Sequence, residues 1–234
     1  MLRFLFLLTA VFLFTTDIAT AKTLYVSKAG DGSTGADWAN AFNTINQALT
    51  ASASGDQIWV ASGTYNEHVP LVEGVALYGG FAGTEATDEA SLRDPLKNHS
   101  TIVSTKRSKP VFRGFTNTIL DGFTITSYNN TGGVSVDECY MTIANCVITQ
   151  NSAGGIGIRN STVELTNCQF LDNESLGGAG AYIESSSVSF GRCVFSGNVS
   201  SSGGGGLGTF YSKVKMVNCL LTNNEADVGA TFLL

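Results

Sequence analysis

The chain of 234 residues is 43% hydrophobic and only 14% charged, with 13 basic and 19 acidic side chains and a net charge of −6. That balance, without a basic run, argues against nucleic acid and against an anionic membrane surface as partners. Gly is frequent at 27, Pro is scarce at 3, and Ser, Thr and Asn outnumber helix-surface residues, which excludes a helical bundle or coiled coil and favours strands and turns.

Met1 to Ala21 reads as a signal peptide, with Arg3 as the positive start, an apolar run from Phe4 to Phe14, and Ala19-Thr20-Ala21 as the cleavage site. The run is too short to cross a bilayer, which needs about 20 residues. The chain is therefore expected to be secreted or held at the cell surface, with no membrane-spanning segment after cleavage. Residues 22–56 are expected to form an N-terminal cap. In it Trp38, Phe42, Ile45, Ala48 and Leu49 fall at helical spacing after Asp37, which predicts a helix over Trp38–Leu49 with Asp37 as its N-cap. Gln57 to Ala61 reads as the first coil strand, Val75 to Phe81 as an early coil, and Thr84 to Asn98 as a loop ejected from it.

The second half repeats. Aligned on Cys146, Cys168, Cys193 and Cys219, with steps of 22, 25 and 26, each copy carries apolar residues at offsets 0, 2, 5 and 7. A degenerate earlier copy spans Thr118 to Ile125. The first two offsets make one inward-facing strand and the last two another. One extra residue breaks the alternation between them, so the chain must turn a corner there. Gly122, Asn145, Asn167 and Asn218 hold that corner, as residues that take left-handed backbone angles; Arg192 is the exception. A third, Gly- and Ile-rich segment completes each period. Short strands every ~23 residues with tight corners pair only with their own copies in parallel. The expected fold is therefore all-β, a right-handed parallel β-helix (solenoid) over residues 57–234 with roughly seven coils and an N-terminal capping α-helix.

Stacking then places Cys146, Cys168, Cys193 and Cys219 in an interior ladder. It places Asn151, Asn173, Asn198 and Asn224 in a second ladder, of amides that bond coil to coil. Parallel Cβ vectors suit a disulfide poorly, so the thiols are expected to stay free and pack as small hydrophobes. No Cys-x-x-Cys spacing occurs and His68 and His99 lie far from the cysteines in sequence, so neither a metal nor a cofactor is expected.

Leu24 to Ser27, Trp38 to Leu49, Gly55 to Tyr65 and Leu77 to Phe81 together resemble the N-terminal part of bacterial secreted β-helix proteins of the pectate-lyase-like superfamily, and Leu120 to Ile125 is similar to that group's coil motif. The second half resembles the repeats of chlamydial polymorphic outer membrane proteins. There F-x-x-N precedes a paired glycine, as in Phe170, Asn173, Gly177 and Gly178, and again in Phe195, Asn198, Gly203 and Gly204. The resemblance implies adhesin-type motifs, although the Phe and Asn also suit plain coil geometry.

The polygalacturonase, pectate lyase and pectin esterase motifs that the resemblance would bring are missing. No catalytic residue is assigned. The acids Glu85, Asp88, Glu89 and Asp94 beside Arg93 read as a solvated loop in preference to a cation or sugar site. The expected function is a non-catalytic, adhesin-like or structural surface protein that binds a glycan or a host or cell-surface protein along its stacked face. The alternative is a polysaccharide lyase or glycoside hydrolase. Val228 to Leu234 starts a coil that stops partway, so the expectation at that end is a longer surface protein or self-association through the open coil.

Overall fold

The computed structural model describes residues 20–86, 90–104, 109–127, 131–227 and 232–233. The signal segment through residue 19, Asp88, Glu89, and 228–231 and 234 of the final coil lie outside the described residues.

Three sheets run the length of the molecule, with eight, seven and seven strands, and every strand pairing is parallel. The chain visits sheet A, then sheet B, then sheet C, and returns to sheet A one coil further on. One such circuit is Tyr140–Ala144, Val147–Thr149 and Ile156–Arg159. The next is Thr162–Thr166, Gln169–Leu171 and Ala181–Glu184. This is an all-β parallel solenoid, and its register follows the repeat: Ile143 pairs with Leu165, and Leu165 with Phe190.

Each coil between Tyr140 and Tyr211 turns at three left-handed corners. Between sheets A and B they are Gly122, Asn145, Asn167, Arg192 and Asn218, with φ of 84°, 51°, 55°, 54° and 55°. Arg192 adopts the same conformation as its counterparts. Its N–H donates to Val217 O at 2.9 Å, as that of Asn167 donates to Gly191 O, so the inter-coil hydrogen bond holds the corner against a cost of about 1 kcal/mol. A second corner row is Glu138, Asn160, Ser185 and Tyr211, and a third is Gln150, Asp172, Gly197 and Asn223.

Inside, one apolar core fills the coil with Met141, Ile143, Cys146, Ile148, Ile156 and Ile158 and their copies. Phe170 and Phe195 stack with centroids 4.6 Å apart and planes 7° off parallel. Beside them runs a buried amide column. The Oδ1 of Asn173 accepts from the backbone N–H and Nδ2 of Asn151, at 3.1 and 2.9 Å. Asn198 does the same for Asn173, and Asn224 for Asn198. The other Nδ2 proton of each goes to a carbonyl of the preceding coil, Ile148 O for Asn173 and Phe170 O for Asn198. A glycine row, Gly133, Gly155 and Gly180, makes room for this column. A Cβ at Gly155 would lie 2.6 Å from Gly180 O and 3.1 Å from Asn173 Nδ2.

The N-terminal region departs from expectation in two respects. The helix is α1, Ile45–Ala51, and not Trp38–Leu49. Thr44 is its N-cap and forms a capping box with Gln47, while the Glu67 carboxylate accepts from Ile45 N and Asn46 N at 3.0 Å. Asp37 instead accepts from Asn40 N. The apolar spacing misleads because Trp38 and Phe42 serve other contacts: Phe42 bridges to Val26, and Trp38 packs edge-on against Tyr25 at 4.8 Å. Second, the segment 22–56 is not only a cap. Thr23–Val26 is the first strand of sheet A and pairs with Gln57–Val60. Its outer face joins Tyr25, Trp59 and Phe81 in a separate aromatic cluster, so these strands are buried on both sides.

Replacing Asn198 by Ala strips the acceptor from the buried N–H and Nδ2 of Asn173. At roughly 1–3 kcal/mol per orphaned group, urea denaturation of N198A is expected to show a loss of about 3 kcal/mol. A loss within 0.5 kcal/mol of that of the exposed strand variant K215A, which falls in the ordinary surface range, would contradict this role.

Candidate functional site

Outward-facing residues of sheet C form the floor of a groove of about 960 Å³. Along the strands Val134 and Val136, Ile156 and Ile158, and Ala181 and Ile183 point into the core, so Ser135, Gly157 and Tyr182 point out. Strand register aligns those three across successive coils, with Arg113 before Ser135 and Gly208 after Tyr182. At the strand ends, two residues further along each strand, the register aligns Asp137, Arg159, Glu184 and Phe210. The small floor residues leave the Tyr182 ring standing in the groove.

Tyr182 is held from both ends. The Arg159 guanidinium lies over its ring at 5.3 Å, and its hydroxyl donates to Glu184 Oε2 at 3.4 Å. Arg159 Nε donates to the same carboxylate oxygen at 3.2 Å. All three side chains keep solvent contact, so the pair adds little stability and chiefly orients the ring. Lys109, Glu174, the exposed Leu176, and Gly177 and Gly178 complete the walls. A floor of small residues with one fixed aromatic ring and a few charged groups suits an extended ligand that offers both apolar faces and hydroxyls.

Of the motif residues singled out by sequence, the structure brings only Gly177 and Gly178 to this groove. Phe170 and Phe195 are fully buried, as are Asn173 and Asn198, and their contacts are those of the core and the amide column. Gly203 packs against Gly177, where a Cβ would lie 2.7 Å from the Gly177 Cα, and Gly204 is buried beside it. Tyr182, Arg159 and Glu184 carry no repeat signal, since each is unlike its counterparts in the neighbouring coils.

The ejected loop is tied down by its own charges. Glu85 accepts from the N–H groups of Ala82, Gly83 and Thr84, and Asp94 from Leu96 N. Arg93 pairs with Asp121 at 2.6 Å and donates to Gly79 O. From Asp121 a surface chain continues through Asn145 and Asn167 to Arg192. Among the described residues no group of three or more His, Cys, Asp or Glu is placed to hold a metal.

All five cysteines are free, with Cys146, Cys168 and Cys193 buried and Cys139 and Cys219 half-buried. Cys168 lies well above the ordinary thiol range because it hydrogen-bonds Cys146 and Cys193 and is buried. Cys193 receives the Cys168 S–H and is drawn down to about 7. Cys139 lies outside the column, donates its N–H to Ser161 Oγ, and is pushed up by burial.

A family model described as a right handed beta helix region matches residues 98–232. No curated protein matches the chain in sequence. Among solved structures, pectin methylesterase from Aspergillus niger is similar with a TM-score of 0.60 and 18% identity, over 92% of this chain and 82% of that one. Pectin methylesterase PemA from Erwinia chrysanthemi has a TM-score of 0.53 and 15% identity, over 79% of this chain and 60% of that one. At such identities the likeness is one of fold.

The raised pKa of Cys139 sets a pH dependence. Its thiolate forms above the range of an unperturbed thiol, about 8.5, so iodoacetamide should alkylate it more slowly than a free thiol at pH 8 and catch up as the pH rises further. Peptide mapping of the native protein measures this. Alkylation of Cys139 at the free-thiol rate at pH 8 would contradict it.

Proposed function

From the premise that the chain belongs to the right-handed β-helix family, we propose that it is an exported, non-catalytic binding protein that holds an extended glycan in the groove on sheet C. The observation that carries this reading is the Tyr182 ring, fixed by Arg159 and Glu184 above the small floor residues Ser135 and Gly157. A ring held this way offers a rigid apolar face at low entropic cost, with charged groups at its edge for hydroxyls. The solenoid extends that surface along successive coils, as repeat proteins do in extended recognition. Export rests on the Arg3, Phe4–Phe14 and Ala19–Ala21 pattern, and the proposed partner is accordingly an extracellular glycan or a glycan-bearing surface.

A second reading makes the same groove the site of a carbohydrate-active enzyme. The pectin methylesterases that share the fold favour it, as does the alignment of Asp137, Arg159 and Glu184 on successive coils. Against it, Glu184 is already engaged by Arg159 and Tyr182, so the row does not offer two unengaged carboxylates.

Isothermal titration against a panel of plant and bacterial polysaccharides separates the two. The binding reading expects a ligand whose affinity falls at least tenfold in Y182A, about 1.4 kcal/mol, with no methanol, reducing ends or unsaturated ends released. Product release that is lost in R159A or E184Q would replace it with the enzymatic reading. Unchanged affinity in Y182A would remove the groove from either.

A further inference from the structure

We propose that the glycan continues past the groove on sheet C into a second hollow, at the corner between sheets C and A, where Tyr140 stacks on a neutral sugar residue. This rests on the glycan reading of the Tyr182 groove and adds a second subsite to it. The hollow has a volume of about 750 Å³, and Tyr140, Asn160, Thr162, Ser185 and Ser187 line it. It adjoins the first groove directly, since Arg159 lines one and Asn160, the next residue, lines the other.

Its build repeats that of the first groove with different residues. Tyr140, Thr162 and Ser187 align at the starts of three successive sheet A strands. Strand alternation turns them outward, because Met141, Val163 and Val188 fill the core. A large ring thus stands beside two small residues, as Tyr182 stands beside Gly157 and Ser135. The Tyr140 strand is paired on both sides, with Thr118–Asp121 and with Thr162–Thr166, yet Tyr140 remains 42% exposed. Its exposure therefore belongs to the corner and not to an open end of the stack.

The corner also leaves polar side chains unused. Among the described residues the side chains of Asn160, Thr162, Ser185 and Ser187 make no hydrogen bond, and all four are exposed. Ser161 and Ser186, which lie between them in sequence, are already bonded, to Arg159 O and Glu184 O. Three free hydroxyls and one free amide beside an aromatic ring suit a ligand with apolar faces and hydroxyl edges. The charged groups of the hollow, Glu138 and Lys213, stand at opposite ends, three coils apart, so its middle is uncharged and suits a neutral sugar. Tyr182 lies two coils beyond the Val134–Asp137 strand that leads into Tyr140, about 10 Å by the spacing of paired strands. A ligand that reaches both rings needs several sugar residues, and a disaccharide fills one hollow only.

The test uses the intact chain and cello-oligosaccharides, whose neutral rings offer apolar faces, titrated from the disaccharide to the hexasaccharide. Affinity is expected to rise about tenfold or more with length, as a second contact on one ligand adds to the first. Tyr140→Ala should abolish that gain and leave the disaccharide affinity unchanged. So should Ser187→Trp, which fills the hollow from an exposed position. The hexasaccharide, and not the disaccharide, should slow alkylation by iodoacetamide of Cys139, which lines the same hollow. The proposal is overturned if either variant keeps the gain with length, if Cys139 is not protected, or if no cello-oligosaccharide binds. Tyr182→Ala distinguishes this failure from that of the reading it rests on. Loss of affinity at every length in Tyr182→Ala, with no effect of Tyr140→Ala, retains the first groove and overturns only the second.

Discussion

The stack of coils depends on one constraint above others: a repeated residue in the coil interior packs against, or hydrogen-bonds to, its own counterpart one coil away. Parallel pairing sets each residue against that counterpart, while apolar side chains also pack across the coil, as Phe190 does against Phe195. Apolar side chains meet the demand by stacking, as Phe170 does on Phe195. A polar side chain meets it only if it is donor and acceptor at once. Asparagine is, and its column extends from Asn151 to Asn224 by donating forward to Oδ1 and backward to a carbonyl. Serine solves the same problem at the C-to-A corner, where Ser161 N–H donates to Ser186 Oγ and Ser186 N–H to Ser212 Oγ. Each Oγ in turn donates to the carbonyl two residues before it.

The same rule explains where function is free to sit. Outward positions can be satisfied by solvent as well as by a neighbouring coil, so they are free to vary from coil to coil: Ser135, Gly157, Tyr182 and Gly208 share one row. The groove arises where this variation leaves small residues beside one large ring. The regular interior holds the backbone of Tyr182 in place, and Arg159 and Glu184 fix its side chain. The core and the site thus obey opposite rules, repetition inside and singularity outside.

That division also governs what the sequence discloses. The corners are legible because few residue types take left-handed angles cheaply, and the offset break marks where one is needed. Arg192 lies outside that reasoning, and only the backbone bond to Val217 shows why it conforms. The glycine row at Gly133, Gly155 and Gly180 and the serine row at Ser161, Ser186 and Ser212 repeat as regularly as the cysteines. They are hard to read because Gly and Ser also populate ordinary turns. The start of α1 is written locally in the Thr44 and Gln47 capping box, but the apolar spacing that begins at Trp38 masks it, and the further support from Glu67 comes from 22 residues downstream of Ile45. The groove is invisible for a simpler reason: Tyr182 matches nothing in the neighbouring copies.

The central claim is that the buried asparagine column locks coil to coil, and native-state hydrogen exchange tests it most directly. The backbone N–H groups of Asn151, Asn173 and Asn198 each end on the Oδ1 of the next coil. If the column locks the coils, these amides exchange among the slowest in the protein, at the rate of global unfolding. If they exchange as fast as the amide of exposed Leu176 on the groove wall, the column is an ornament of the stack and the coils are held by apolar packing alone.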